Sequence, residues 1–142
     1  MENTNDRTVI TVENTINAPV SKVWQYWNSP EHLMQWNQAS DDWHCPASEN
    51  DLRTDGKFKH TMAAKDGSFS FDFEGDYTNV VESRLIEYAL GDTRRVKVIF
   101  EDLGDKTHIT EIFDAETQNS IELQKAGWQA ILGNFKKYTE QN

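Results

Sequence analysis

The sequence predicts an α+β domain in which a curved antiparallel sheet wraps round one long C-terminal helix, with two short helices after the first strand. Three observations lead there. Period-two alternation of apolar and polar residues recurs from Gly56 to Phe100, as half-buried antiparallel strands require. A single apolar stripe at helical spacing runs through the last twenty residues. The segments joining these elements are short enough for a meander, and strands with one apolar face leave one side for a helix to cover.

The elements follow in order. TVITVENTI, from Thr8, places Ile10, Val12 and Ile16 on one strand face. Pro19 suits a helix start, and Val20, Val23, Trp24 and Trp27 fall at i, i+3, i+4 and i+7 of one helical stripe. Ser29-Pro30 reads as the cap and first turn of a second short helix that turns Leu33 and Trp36 inward and His32 to water. Between Gln38 and Asp55 the pattern is ambiguous, with a short strand at Trp43 to Cys45. GKFKHTMA then points Phe58, His60 and Met62 inward, and Asp66-Gly67 supplies a hairpin turn. SFSFDFEGDY gives the strongest alternation, with Phe69, Phe71, Phe73 and Tyr77 on one face and Gly75 marking a bend or bulge. Ile86, Tyr88 and Leu90, then Val96, Val98 and Phe100, continue the apolar face. In KTHITEIFDA the two faces balance, Ile109 and Phe113 against Ile112, and no inward side emerges.

The final helix spans roughly residues 120 to 139. Asn119 and Glu122 have capping-box spacing, and Ile121, Trp128, Ile131, Leu132, Phe135 and Tyr138 form its stripe. Gly127 costs a helix interior about 1 kcal/mol against Ala, so a close neighbour at its backbone is expected.

Composition narrows the function. The formal charge is −10, and the basic cluster Arg94-Arg95 with Lys97 is flanked by Asp92 and Glu101, which excludes a nucleic-acid surface and disfavours anionic lipid. No apolar run approaches the ~20 residues that span a bilayer. A lone Cys45 fits a reducing, cytoplasmic setting. Residues 1–7 are expected to fray, leaving residues 8–142 as one domain, a monomer or weak dimer kept soluble by its charge.

Four segments, NAPVSKVWQYWNSPEHLMQW, DLRTDGKFKHTM, FEGDYTNVVESRLIEY and AGWQAILGNFKKYTE, together resemble the START-like, helix-grip superfamily. Within it they are most similar to the family named after the C-terminal domain of the activator of heat-shock protein 90 ATPase. The resemblance runs from about Thr8 to Glu140 and rests on packing signatures in the right order. It implies a cavity between the sheet and the C-terminal helix, which in related branches holds lipids, sterols, polyketide intermediates or plant metabolites. By position, Trp27 and Trp36 would stand near its mouth. Phe58, His60, Met62, Phe71 and Phe73 would line the sheet wall, with Trp128 and Leu132 on the helix wall. Many relatives carry Gly-Gly where this chain has Asp55-Gly56, so the start of that strand is expected to differ. The sequence has no counterpart of the separate N-terminal domain of the eukaryotic activator, and the likeness alone does not imply co-chaperone activity.

The chemistry-bearing residues admit few readings. His60, set between Phe58 and Met62, is either a satisfied core histidine or a ligand-orienting donor or general base. His44-Cys45 beside Asp41 and Asp42 matches no compact zinc spacing, so neither metal nor cofactor is expected. Cys45 has no base partner in sequence, and Asp72, Glu74 and Asp76 form a solvated stripe. No phosphate loop or nucleophile elbow occurs. The leading expectation is a module binding an apolar or aromatic small molecule. The alternatives are a cyclase, dehydratase or hydrolase using His60 with Tyr88, and a protein-interaction module acting on a chaperone.

Overall fold

A computed structural model describes residues 8–91 and 93–142; the frayed terminus expected at residues 1–7 lies outside the described residues. The element order is β1 (Val9–Ile16), α1 (Val20–Asn28), α2 (Pro30–Trp36), β2 (Trp43–Asn50), β3 (Lys57–Ala64), β4 (Ser70–Val81), β5 (Leu85–Leu90), β6 (Arg95–Asp102), β7 (Thr107–Asp114) and α3 (Ile121–Gln141). All seven strands join one antiparallel sheet in the order β1-β7-β6-β5-β4-β3-β2. The fold is α+β, of helix-grip type. Among the described residues, no helix is long and apolar enough to cross a membrane.

From β2 to β7 every hairpin pairs with its successor, and β1 closes on β7 with Ile10 opposite Phe113 and Ile16 opposite Thr107. The two short helices between β1 and β2 carry the chain from one sheet edge to the other. Bulges between His44 and Ala47 and between Tyr77 and Asn79 bend the outer strands. The bend in β4 therefore sits beyond Gly75, whose role is different. A Cβ there would come within 2.7 Å of the Ala89 carbonyl and 3.0 Å of two atoms of the Phe58 ring. Gly75 lets Phe58 lie flat against the sheet.

The core forms where α1, α2 and α3 meet the inner sheet face. Ile10, Val12, Val23, Val98, Ile109, Leu132 and Phe135 are all buried in it. Helix α3 packs on β1, α1 and α2, so its grip lies at one side of the sheet. Its cap is Ser120, whose Oγ accepts from Leu123 N–H at 3.0 Å. The expected Asn119/Glu122 box does not form, because the Asn119 side chain is held by the Glu116 carboxylate. Ile121 consequently falls outside the stripe and is exposed, while Gln124 and Thr139 join the buried face. Gly127 has no atom within 4 Å of a Cβ, so the close neighbour expected there is absent.

The ambiguous segment before β3 contains the whole of β2, an edge strand bulged around Pro46. At the start of β3, Asp55 adopts φ +72°, the left-handed backbone that glycine takes freely. The chain thus makes this turn with a non-glycine residue in the left-handed region. Gly56 is obligatory there, since a Cβ would lie 2.1 Å from the Asp51 carbonyl oxygen.

A candidate ligand cavity between sheet and helix

Between the β3–β5 wall and α3 lies a cavity of about 360 Å³. It exists because α3 grips the β1 side, leaving the curled outer strands unfilled. Only long side chains reach across the gap. Trp128 stacks on Phe113 with ring centroids 3.8 Å apart and meets Phe73 edge-on at 6.2 Å. Phe58 meets Tyr88 edge-on at 4.7 Å and stacks on His60 at 5.0 Å. The walls are aromatic faces and edges.

Of the nine residues that the resemblance set round such a cavity, Trp27, Trp36, Phe58, His60, Met62, Phe71, Phe73 and Trp128 line it, and so does Tyr88, expected as the partner of His60. Leu132 does not. It is 0% exposed, one position round the helix from Ile131, which takes the lining place instead. Trp27 and Trp36 are not at a mouth. They lie 5.0 Å apart, both meet Phe135 edge-on, and Trp36 is buried with its Nε1–H donating to the Tyr26 carbonyl at 3.1 Å. They form the floor. Phe71 both lines the cavity and is 45% exposed, which sets the mouth near the β3–β4 hairpin. There it meets Trp43 at 6.0 Å and Phe69 at 6.1 Å, and Phe69, expected in the core, is 58% exposed. The alternation of β4 continues past the region that any helix covers.

His60 stands inward as its register requires, 8% exposed, with Nδ1 2.9 Å from Ser48 Oγ. Burial lowers its pKa from 6.5 to about 4, so the ring is neutral at ordinary pH. Among the described residues no hydrogen bond joins it to Tyr88. The convergence required for acid–base catalysis by that pair is not made. Tyr77, beside Phe58, donates to Asn50 Oδ1, and Asn50 Nδ2–H donates to the Asn28 carbonyl at 2.8 Å. Burial pushes the Tyr77 hydroxyl pKa upward. Asn37 Nδ2 lies 3.4 Å from Met62 Sδ and 3.9 Å from Cys45 Sγ. Cys45 is buried, and desolvation raises its pKa, which keeps it a thiol rather than a nucleophile.

The sequence pattern missed Glu111. It occupies the inward position between Ile109 and Phe113 on β7, lines the cavity and is 6% exposed. Desolvation raises its pKa from 4.5 to about 8. A polar residue at that one site is what balanced the two faces of β7. The signal available was that Thr107, Ile109, Glu111, Phe113 and Ala115 are consecutive odd positions, four of them compatible with burial. Arg94, Glu116 and Gln124 complete this end of the cavity. Gln124 is saturated: its Oε1 accepts from Glu116 N–H at 2.9 Å, and its Nε2 donates to the Glu116 and Asn119 carbonyls. It fixes the chain leading into α3.

Other histidines act outside the cavity. His32, expected to face water, stacks on Tyr26 at 4.0 Å with Nδ1 2.8 Å from the Tyr138 hydroxyl. His108 bridges Thr15 Oγ1 and Glu13 Oε1, each at 2.8 Å, on the outer face of the sheet.

Comparison with solved structures gives the fold a context. An AHSA1-like protein from Aeromonas hydrophila, known from solution NMR, is 43% identical over 94% of this chain and 93% of its own, with a TM-score of 0.88. A protein from Cytophaga hutchinsonii is 57% identical over 94% and 92%, with a TM-score of 0.81. A Nitrosomonas europaea protein shares the fold at 17% identity and a TM-score of 0.80. No curated protein matches the chain. The family model described as "Activator of Hsp90 ATPase homolog 1-like protein" matches residues 17–140, and this chain belongs to that family.

Proposed function

We propose that the protein binds an apolar or aromatic small molecule in the cavity between the β3–β5 wall and α3. The observation that supports this is the cavity itself. Its volume of about 360 Å³ falls within the 300–1,000 Å³ typical of small-molecule pockets. Its walls are Phe58, Phe73, Tyr88 and Trp128, whose flat faces suit an aromatic or alicyclic body. The floor of Trp27, Trp36 and Met62 adds apolar surface, and His60, already bonded to Ser48, offers its other ring nitrogen to a ligand. In this reading the acting form is a cytoplasmic monomer or weak dimer, with no cofactor.

The test is native mass spectrometry of protein purified from cells, joined to displacement of the neutral dye N-phenyl-1-naphthylamine by fatty acids and aromatic metabolites. A retained or displacing compound supports the reading. Failure of the dye to bind, with no retained mass, overturns it.

A second reading, a module acting on a chaperone, draws on the family's description and on the exposed Phe69 and Phe71 rings, packed beside the half-buried Trp43 at the cavity mouth. Its test is a low-salt pull-down with Phe69→Ser and Phe71→Ser as controls. Recovery of no chaperone, or equal recovery by both variants, removes it.

A further inference from the structure

Glu111 is the one cavity-lining carboxylate held wholly within the sheet's inner face, at 6% exposure, and among the described residues neither a hydrogen bond nor an ion pair reaches it. The Tyr88 hydroxyl, on the same inner face of β5, also has no hydrogen-bond partner among the described residues. Gln38 Oε1 and Thr139 Oγ1 are also buried without a partner among the described residues, but Glu111 and the Tyr88 hydroxyl open together on one cavity, where a ligand atom can complete the pattern.

We propose that the cavity takes an organic amine: a ligand with an aromatic or alicyclic body and a protonated nitrogen that seats against Glu111 and the Tyr88 hydroxyl. This rests on the small-molecule reading above and specifies its chemistry. A carboxylate in an apolar cavity needs a cation to remain ionised, and an ammonium group supplies both charge and hydrogen-bond donors. The neighbouring walls favour the same charge, since Phe58, Phe73, Tyr88 and Trp128 present ring faces that attract cations. A formal charge of −10 draws cationic ligands toward the protein. Arg94 does not reverse this. Its positive field acts on Glu116 and Tyr88, and it already has an interaction of its own.

The titratable groups facing Glu111 are His60 and Tyr77 across the cavity on β3 and β4, Tyr88 on β5, Arg94 before β6 and Glu116 before α3; α3 presents Gln124, Trp128 and Ile131, which do not titrate. His60 is neutral above pH 5, both tyrosines are pushed upward by burial, and Glu116 is held low by Asn119. Glu111 alone changes charge between pH 6 and 9. Amine binding therefore expels its proton, and affinity climbs with pH up to about 8.

The experiment is isothermal titration of the intact chain, stripped of bound ligand, with three probes of one shape: 2-(2-naphthyl)ethylamine, 2-ethylnaphthalene and 2-naphthaleneacetate. The amine is expected to bind at least tenfold tighter than the hydrocarbon at pH 8. Its affinity should rise nearly tenfold per pH unit from 6 to 7.5, with release of about one proton. Glu111→Gln should bring the amine-to-hydrocarbon ratio close to one and flatten its pH dependence, whereas Glu111→Asp keeps a preference for the amine. Hydrocarbon binding with no amine preference, or tighter binding of the acetate, overturns the amine assignment and leaves the cavity reading intact. If no probe binds and N-phenyl-1-naphthylamine does not bind either, the cavity reading itself has failed.

Discussion

Removing the charge from Glu111 should make the ligand-free protein more stable, by an amount set by pH. The carboxyl is 6% exposed with no bonding partner among the described residues, and its pKa in the fold is about 8 against 4.5. Between those values the folded chain holds a proton that the unfolded chain has released. Stability is therefore highest below pH 4.5 as far as this group is concerned, falls as pH rises, and levels off above 8. The interval at about 1.4 kcal/mol per pH unit gives a ceiling of about 5 kcal/mol. Water entering the adjoining cavity reduces this, and about 3 kcal/mol is expected. Glu111→Gln keeps the shape and removes the titration. Urea unfolding of the ligand-stripped protein at pH 5, 7 and 9 measures the effect. The two proteins should lie within about 1 kcal/mol at pH 5 and separate, variant more stable, by about 3 kcal/mol at pH 9. Parallel curves across that range would show that the carboxyl is solvated, and the argument for an idle buried acid would be wrong.

Three further outcomes follow from other parts of the fold. His60, with its pKa lowered from 6.5 to about 4, takes up no proton in the fold where the unfolded chain does, so stability should drop by about 3 kcal/mol as pH falls from 6.5 to 4; the drop should be missing from His60→Asn in paired urea titrations. Gly127→Ala and Gly133→Ala, each with open space where the methyl would stand, should add up to about 1 kcal/mol apiece and raise Tm by a few degrees in calorimetry. Leu132→Ala, at a fully buried site outside the cavity, should cost about 2–5 kcal/mol in urea unfolding while leaving N-phenyl-1-naphthylamine affinity within threefold, a split that fails if Leu132 borders the ligand.

The inward faces of β1, β3, β5 and β6 were legible because alternation and burial agree there, from Ile10 and Val12 through Phe58 and Met62 to Val96 and Phe100. Alternation reports a face, however, and not whether anything covers it. Phe69 and Phe71 obey the pattern and stand exposed because β4 outruns the helices. β2 was legible only in its first residues, Trp43 to Cys45, for the opposite reason: an edge strand with a bulge and a proline need not alternate. The helix cap shifted by one residue because Ser120 and Asn119 are both capping types, and only the tertiary contact of Asn119 with Glu116 chooses between them. Eight of the nine positions that the resemblance implied line the cavity, whereas Glu111 violated the very periodicity used to search for core residues.

That violation belongs with others. A sequence selected only to fold would put an aliphatic side chain at position 111 between Ile109 and Phe113, bond or remove the Tyr88 hydroxyl, and close the gap beneath Trp128. Each of these departures lowers stability, and all three open on the same space. Elsewhere most polar groups are bonded: Thr107 donates to the Ala18 carbonyl, Gln124 uses both ends of its amide, and His60 has Ser48, while Gln38 Oε1 and Thr139 Oγ1 stand apart from the cavity as isolated unbonded atoms among the described residues. Costs scattered through a fold are ordinary imperfection. Costs gathered at one concave, aromatic-walled place are better explained by a molecule that removes them on arrival, since binding that relieves an idle carboxyl and fills a void is strengthened by both.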